Sequence, residues 1–418
     1  MPLFRSSSES SHPPKNGESL SEAFLDTSSV RDTLPDQYRA HFDELRSGIL
    51  AFCHEFDIPV ETLKSKEAFG AELASKRIPP EHMAQAVFLF QRLEHLITNK
   101  EPFREKISEA LEYTDRLYNL KEQYAAQAEL LERVGILKEG AIIGIDGNKY
   151  PIPNLEQIAQ RLYERREELK TKRDQGFTKL LLVPFGMSLD TLCETFKQFL
   201  LFYQQTHPAF VLNTNNFLYT WGGGFKGVDT KNPPKIVYNP QSFDSNHQSQ
   251  TKTQILEEQT DNQDSSSFPG WKVHLFQPFD PAGQESKGFV SIPRQGQGKT
   301  QGKENPRPDL EANKTPEDYL FFLQQAQNDP DSPYFQEFGL TPEDWILAFM
   351  THLNETGEPL DNYQNNTDNI AYLTGVFSPS SVYVSYACWE RASRQACLDW
   401  RGPDNQEEYF GVRTSVII

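Results

Sequence analysis

The sequence predicts an α+β protein: a helical N-terminal region, then a mixed α/β domain ending in a short C-terminal strand. Three observations carry that expectation. Between Asp36 and Arg133, apolar residues recur at steps of three and four, the spacing of buried helix faces. From Lys179 onward, short apolar runs alternate with helical stretches, the pattern of layered helices and strands. The chain closes on Gly411-Val-Arg-Thr-Ser-Val-Ile-Ile, a terminus apolar enough to be held in a sheet.

Residues 1–30 are rich in Ser, Pro and charge and read as a disordered tail. Residues 31–135 read as a helical bundle. Its first helix places Tyr38, Phe42, Leu45, Ile49 and Phe52 on one face. A second helix covers 60–76, and a third follows Pro79-Pro80, with Met83, Val87, Phe90, Leu93 and Ile97 along its apolar side. The fourth is expected over 103–133, where Ile107, Ala110, Thr114, Leu117, Lys121, Tyr124, Ala128 and Leu131 follow a heptad seam. Thr114 and Lys121 interrupt that seam, which favours packing within the chain over a coiled coil. A homo-oligomer through these helices is the assembly the region offers, and a helical assembly scaffold is one alternative function.

Residues 136–418 read as one domain. An Ile-rich stretch turns at Asp146-Gly147, and a charged helix covers 155–172. Lys179-Leu-Leu-Leu-Val-Pro-Phe-Gly, a short apolar run ending in Pro and Gly, reads as a strand leading into a helix over 189–204, with Leu192, Phe196, Phe199 and Leu200 facing inward. Short apolar segments at 210–212 and 217–221 come next, and Lys235-Ile-Val-Tyr and Gly270-Trp-Lys-Val-His-Leu-Phe read as further strands. The polar stretches 241–269 and 294–314 are expected as long loops or insertions. Thr315-Pro-Glu-Asp and Thr341-Pro-Glu-Asp each start a helix: Thr caps, Pro suits the first helical position, and the acids meet the positive dipole end. A cap of this kind is worth about 1 kcal/mol.

Composition excludes several function classes. A net charge of −18, with no basic stripe, argues against nucleic acid as a partner. No apolar run is long enough to insert across a bilayer, and the first residues lack the apolar core of a secretion signal. Four cysteines, none in a C-x-x-C pair, fit reduced thiols and a cytoplasmic location. No cofactor is expected. Gly296-Gln-Gly-Lys-Thr ends like a phosphate loop, but position 293, where the first glycine should stand, is Pro. Trp221-Gly-Gly-Gly-Phe-Lys-Gly reads as a tight turn rather than a dinucleotide site. No histidine pair has zinc-ligand spacing, and no acidic run has that of a calcium loop, so no metal site is expected.

The stretch 371–418 carries the functional signal. Val382, Val384, Tyr386 and Cys388 share one strand parity, while Tyr383, Ser385, Ala387 and Trp389 share the other. The run S-Y-A-C-W-x4-R-Q-A-x-L-x-W-R-x-P-x7-G-V-R-T-S-V resembles the C-terminal end of C-type-lectin-fold domains. Within that fold it is similar to the target (variable) proteins of diversity-generating retroelements and to the formylglycine-generating, sulfatase-modifying enzymes. The resemblance covers about the last fifty residues specifically and does not reach the N-terminal third.

The target-protein resemblance implies a C-type-lectin-like scaffold whose C-terminal face varies to bind ligands. Trp389, Arg394, Gln395, Ala396, Leu398, Arg401, Pro403, Gly411 and Arg413 would be framework within the region 382–410 and the strand after it. Tyr383, Tyr386, Glu390, Ala392, Ser393, Asp399, Trp400, Asn405, Glu407 and Tyr409 would form the binding face, expected together on one exposed surface. Tyrosine and tryptophan give stiff amphipathic contact area of the kind enriched at protein-recognition hot spots. The expected function is therefore non-enzymatic binding of a protein ligand, with no catalytic residue.

The enzyme resemblance implies the alternative, an oxidase or hydrolase using Cys388. Such enzymes bind copper through two cysteines spaced C-x4-C, and the position five after Cys388 is Ser393. Cys397, eight intervening residues away, is expected on a different strand phase.

Overall fold

A computed structural model describes residues 27–418 apart from 65, 77, 79, 101–102, 221–224, 262–267, 281–286 and 365–368. Both helices and strands build it, and the class is α+β. Most of the expected tail, and the expected Trp221-Gly-Gly-Gly turn, lie outside the described residues; Thr27–Asp32, at the tail's end, is helical. No helix among the described residues is long and apolar enough to cross a membrane.

The chain divides into two compact units, Met1–Glu109 and Ala110–Ile418. The boundary falls at 109/110, within the helix Phe103–Tyr118, and not at the expected 135/136. In the first unit, the helix Asp36–Glu55 buries Phe42, Leu45, Ile49 and Phe52 together with Phe90, Leu93 and Leu96 of Pro80–Asn99. Phe69 of the helix Lys66–Ser75 stacks on Phe90 with ring centroids 5.2 Å apart. The apolar spacing read from the sequence is thus the core of this unit. The expected second helix opens with a 3-10 turn, Val60–Lys64.

The expected fourth helix breaks at Asn119, which adopts left-handed φ of 50° and separates Phe103–Tyr118 from Leu120–Arg133. Asn tolerates that conformation better than most residues, so the seam ends there. The helix Leu120–Arg133 belongs to the second unit for a specific reason. Its Gln123 and Gln127 side chains run along the edge of a strand and take the place of a neighbouring strand. Gln123 donates to the Thr178 carbonyl at 3.0 Å and accepts from the Leu180 N–H at 2.8 Å. Gln127 donates to the Leu180 carbonyl and accepts from the Leu182 N–H at 2.7 Å. Residues four apart on a helix match residues two apart on a strand, so two amides satisfy an edge that would otherwise invite pairing with another chain.

In chain order the strands are β1 (Ala141–Ile143), β2 (Lys149–Pro151), β3 (Lys179–Val183), β4 (Leu218–Tyr219), β5 (Val237–Tyr238), β6 (Lys272–Phe276), β7 (Thr300–Gln301) and β8 (Arg307–Pro308). They continue with β9 (Glu337–Gly339), β10 (Asn362–Tyr363), β11 (Ile370–Ser378), β12 (Tyr383–Glu390), β13 (Gln395–Arg401), β14 (Phe410–Val412) and β15 (Thr414–Ile417). One sheet runs β3-β6-β15-β9. The other runs β14-β11-β12-β13-β4, with β5 also on β11 and β10 on β12. The helix Pro342–Thr356 contacts β3 of the first sheet and β11 and β12 of the second. Every residue from Pro342 to Leu353 is buried.

The two Thr-Pro-Glu-Asp starts behave as expected. Thr315 and Thr341 cap their helices, and Asp318 and Asp344 reach back to complete the capping boxes. Around Thr341 the acids do more than meet the dipole. Glu343 is fully buried, accepts from the Tyr238 hydroxyl at 2.7 Å and pairs with Lys252 at 2.7 Å. Lys252 also reaches Asp229 at 2.6 Å and the Met187 carbonyl at 2.7 Å. Asp344 sits 3.2 Å from His274, whose other ring nitrogen meets Ser415.

These anchors correct the reading of 241–269 as loop. Residues Lys252–Asp261 form a helix, because the buried ammonium of Lys252 fixes its start in the core. The stretch 294–314 likewise contains the β7–β8 hairpin. Arg307 on β8 forks onto Glu337 of β9 with two contacts of 2.7 Å, and Lys172 reaches the same carboxylate at 2.8 Å. The expected helix over 155–172 is split into Leu155–Glu164 and Lys170–Asp174, the second of which delivers Lys172.

The last eight residues serve both sheets. Phe410–Val412 pairs parallel with β11, whereas Thr414–Ile417 lies between β6 and β9 in the interior of the other sheet. Arg413, between them, is buried, pairs with Asp361 at 2.6 Å and donates to the Val290 carbonyl. A side chain at Gly411 would lie 2.4 Å from Ile292, so the crossing needs glycine.

Candidate ligand-binding cleft

β12 and β13 are antiparallel neighbours in unbroken register, from Val384↔Arg401 through Tyr386↔Asp399 and Cys388↔Cys397 to Glu390↔Gln395. Because neighbours along a strand face opposite ways, this register sorts the terminal region into two faces. One carries Ala387, Trp389, Ala396 and Leu398 into the main core, where Trp389 lies against Phe349 of the Pro342–Thr356 helix with centroids 6.0 Å apart. The other carries Tyr386, Cys388, Glu390, Gln395, Cys397, Asp399 and Arg401 into a cleft of about 330 Å³. Tyr219 of β4, Tyr363 of β10, Ile370 of β11 and Tyr409 complete its walls.

The walls are aromatic and the polar groups are few. Tyr363 and Tyr409 stack with centroids 5.0 Å apart, and Tyr386 meets Phe410 edge-on at 5.2 Å. The Tyr386 hydroxyl donates to Asp399 at 3.1 Å. Burial, followed by the neighbouring Cys397 and Asp399, pushes the Tyr386 hydroxyl well above its ordinary pKa, so it stays a donor. Hydrogen bonding to Glu407, with burial, raises Tyr409 likewise. Arg401 pairs with Glu407 at 2.7 Å, and its guanidinium lies over the rings of Phe410 and Tyr386.

Of the ten residues expected on one surface, four line this cleft: Tyr386, Glu390, Asp399 and Tyr409. Glu407 stands beside them through Arg401. Ser393, in the turn between β12 and β13, donates to Glu390 at 2.7 Å, and Ala392 is exposed in the same turn. The Asn405 carbonyl accepts from Tyr372 at 2.8 Å, which ties its loop to β11. Two others stand on the opposite face of the hairpin. Tyr383 has the opposite parity to Tyr386, and Trp400 has the opposite parity to Asp399; Trp400 instead stacks on Phe225 at 4.9 Å. The ten therefore do not share one face, because the set mixed both strand parities. Among the framework residues, Trp389, Gln395, Leu398 and Arg413 are buried, but Arg394 is exposed at a left-handed φ of 56° in the turn.

Sequence reasoning also misplaced Cys397. It stands directly opposite Cys388 on the same face, near enough for the two thiols to hydrogen-bond, and both are free. The hairpin connection could have shown this: with Glu390 facing Gln395, each further step pairs positions that sum to the same number. The contact with Cys397, then burial and the nearby carboxylates of Asp361 and Glu390, hold the Cys388 thiol well above its usual range. Tyr219 and Tyr363 were not singled out, since each arrives from a distant two-residue strand with no periodic signal. Among the described residues, no group of three or more His, Cys, Asp and Glu side chains could hold a metal ion.

Set against protein-family models, curated proteins and solved structures, the chain matches none.

Proposed function

We propose that the protein is a non-enzymatic, cytoplasmic binding protein that takes a protein ligand in the cleft across β12 and β13. The observation that carries this is the cleft itself: four tyrosines and a few polar groups on a sheet whose other face is locked into the core. That arrangement places changeable side chains on a rigid support, as recognition surfaces do. The proposal includes the C-type-lectin-like scaffold of a retroelement target protein, with positions within 382–410 varied between copies. Free, opposed thiols at Cys388 and Cys397 suit a reducing compartment.

The test is affinity capture from the native host with the immobilised full chain, wild type against Tyr386→Ala/Tyr409→Ala, each checked by its melt. A polypeptide retained by the wild type and lost by the folded variant is expected. Identical retention by both would remove the cleft from the account. A near-copy of the coding segment beside a reverse-transcriptase gene, differing at adenines, would support the diversified region.

The opposed thiols favour one second reading, an oxidase using Cys388 on the pattern of the formylglycine-generating enzymes. Two sulfurs are present, but the neighbouring carboxylates work against thiolates there. Stoichiometric Cu(I) binding, abolished by Cys388→Ser, would establish that reading in place of the first.

A further inference from the structure

Within the cleft the charges do not balance. Arg401 is already committed to Glu407. Among the described residues, neither Glu390 nor Asp399 makes an ion pair: Glu390 accepts only from Ser393, and Asp399 from Tyr386 and its own neighbour's N–H. Directly across from Glu390 stands Gln395, 7% exposed, lining the cleft with no hydrogen bond from its side-chain amide among the described residues. That amide lines the open cleft, where its carbonyl oxygen can accept from a ligand's donors. Beside this carboxylate–amide pair stand the rings of Tyr219, Tyr363, Tyr386 and Tyr409.

We infer that the cleft receives a cationic side chain, an arginine of the protein ligand, with Glu390 and the Gln395 carbonyl oxygen accepting its N–H groups and the tyrosine rings flanking its plane. Three features meet in that choice. A guanidinium offers several donors in a plane, which suits two acceptors on adjacent strands. Aromatic faces attract cations, as Arg401 over Phe410 and Tyr386 already demonstrates in this cleft. A chain of net charge −18 draws basic partners at long range. The inference rests on the binding reading above and specifies what the cleft recognises.

The experiment titrates the full chain with N-acetyl-arginine methylamide and with its neutral citrulline counterpart, by calorimetry and by side-chain NMR. Saturable binding of the arginine compound, with shifts at Gln395 and the cleft tyrosines, is expected, and roughly ten- to a hundredfold weakening in Glu390→Gln. Gln is nearly isosteric with Glu, and an unchanged melt shows the variant folded; Asp399→Asn gives an independent second variant. Equal binding of the citrulline compound, or full affinity in a folded Glu390→Gln protein, overturns the cation. If a captured protein partner depends on Tyr386 but not on Glu390, the cation inference falls while the binding proposal stands.

Discussion

Tyr383 and Tyr386 are three residues apart on β12 and lie on opposite faces of it. Composition alone would class them together; strand parity separates them, and the cleft follows from that separation. The parity was legible in the sequence, since Val384, Tyr386 and Cys388 alternate with Tyr383, Ser385 and Ala387. Choosing residues by chemical type across both parities is what scattered the expected surface. The partners of buried charges were not legible, because Lys252, Glu343 and Asp229 are far apart in sequence and meet only through the fold.

His352 gives a prediction at this scale. Its Nδ1 accepts from the Phe289 N–H at 3.0 Å, and burial, then Arg413 and Lys179, lower its pKa to about 4. An unfolded histidine titrates near 6.5, so this neutral form adds stability that is complete above that value. As the pH falls from 6.5 to 4, the unfolded chain takes up a proton that the folded one refuses, and stability drops by ~2–3 kcal/mol. Denaturation of wild type and His352→Gln across this range should show the wild type losing more. Parallel pH profiles for the two would mean that His352 is not held neutral.

At the scale of elements, the apolar helices and the two capped starts were readable from spacing and cap chemistry, but the breaks were not. Asn119 interrupts a seam that continues in period on both sides, and only its left-handed backbone marks the end. Helix Lys252–Asp261 was hidden by its polar composition, because what holds it is a buried ion pair rather than a broad apolar face. The edge of β3 supplies a test of how such polar contacts support an element. Gln123→Leu/Gln127→Leu leaves backbone groups of β3 unsatisfied, at about 1–3 kcal/mol for each one that water does not reach. The double variant should melt earlier and aggregate more readily by light scattering. An unchanged melt would show that the glutamines only decorate the edge.

β15 makes the complementary case. It was expected to be buried, and Val416 is fully so, but nothing in the residue pattern marks the division of the last eight residues between two sheets at Arg413. Deleting Gly411–Ile418 removes an interior strand and buried aliphatics worth ~1.5–3 kcal/mol each, against a net stability of about 5–15 kcal/mol. Calorimetry of the truncated chain should lack the cooperative transition of the second unit. Retention of that transition would contradict the interior placement of β15.

The whole molecule is two units, each with a core of its own, and the α+β class was legible from the change in periodicity along the chain. The boundary was not, because a helix runs through it and its apolar pattern does not change there. The proposed function rests on one claim about the second unit: that recognition occurs in the cleft of β12 and β13, on the face bearing Tyr386. The most direct measurement is the affinity of the captured protein partner for Tyr386→Ala and for Tyr383→Ala, two tyrosines removed from opposite faces of one strand. The account predicts a loss on the order of 2 kcal/mol, roughly thirtyfold, for Tyr386→Ala and little change for Tyr383→Ala. Equal losses, or the larger loss at Tyr383, would contradict it.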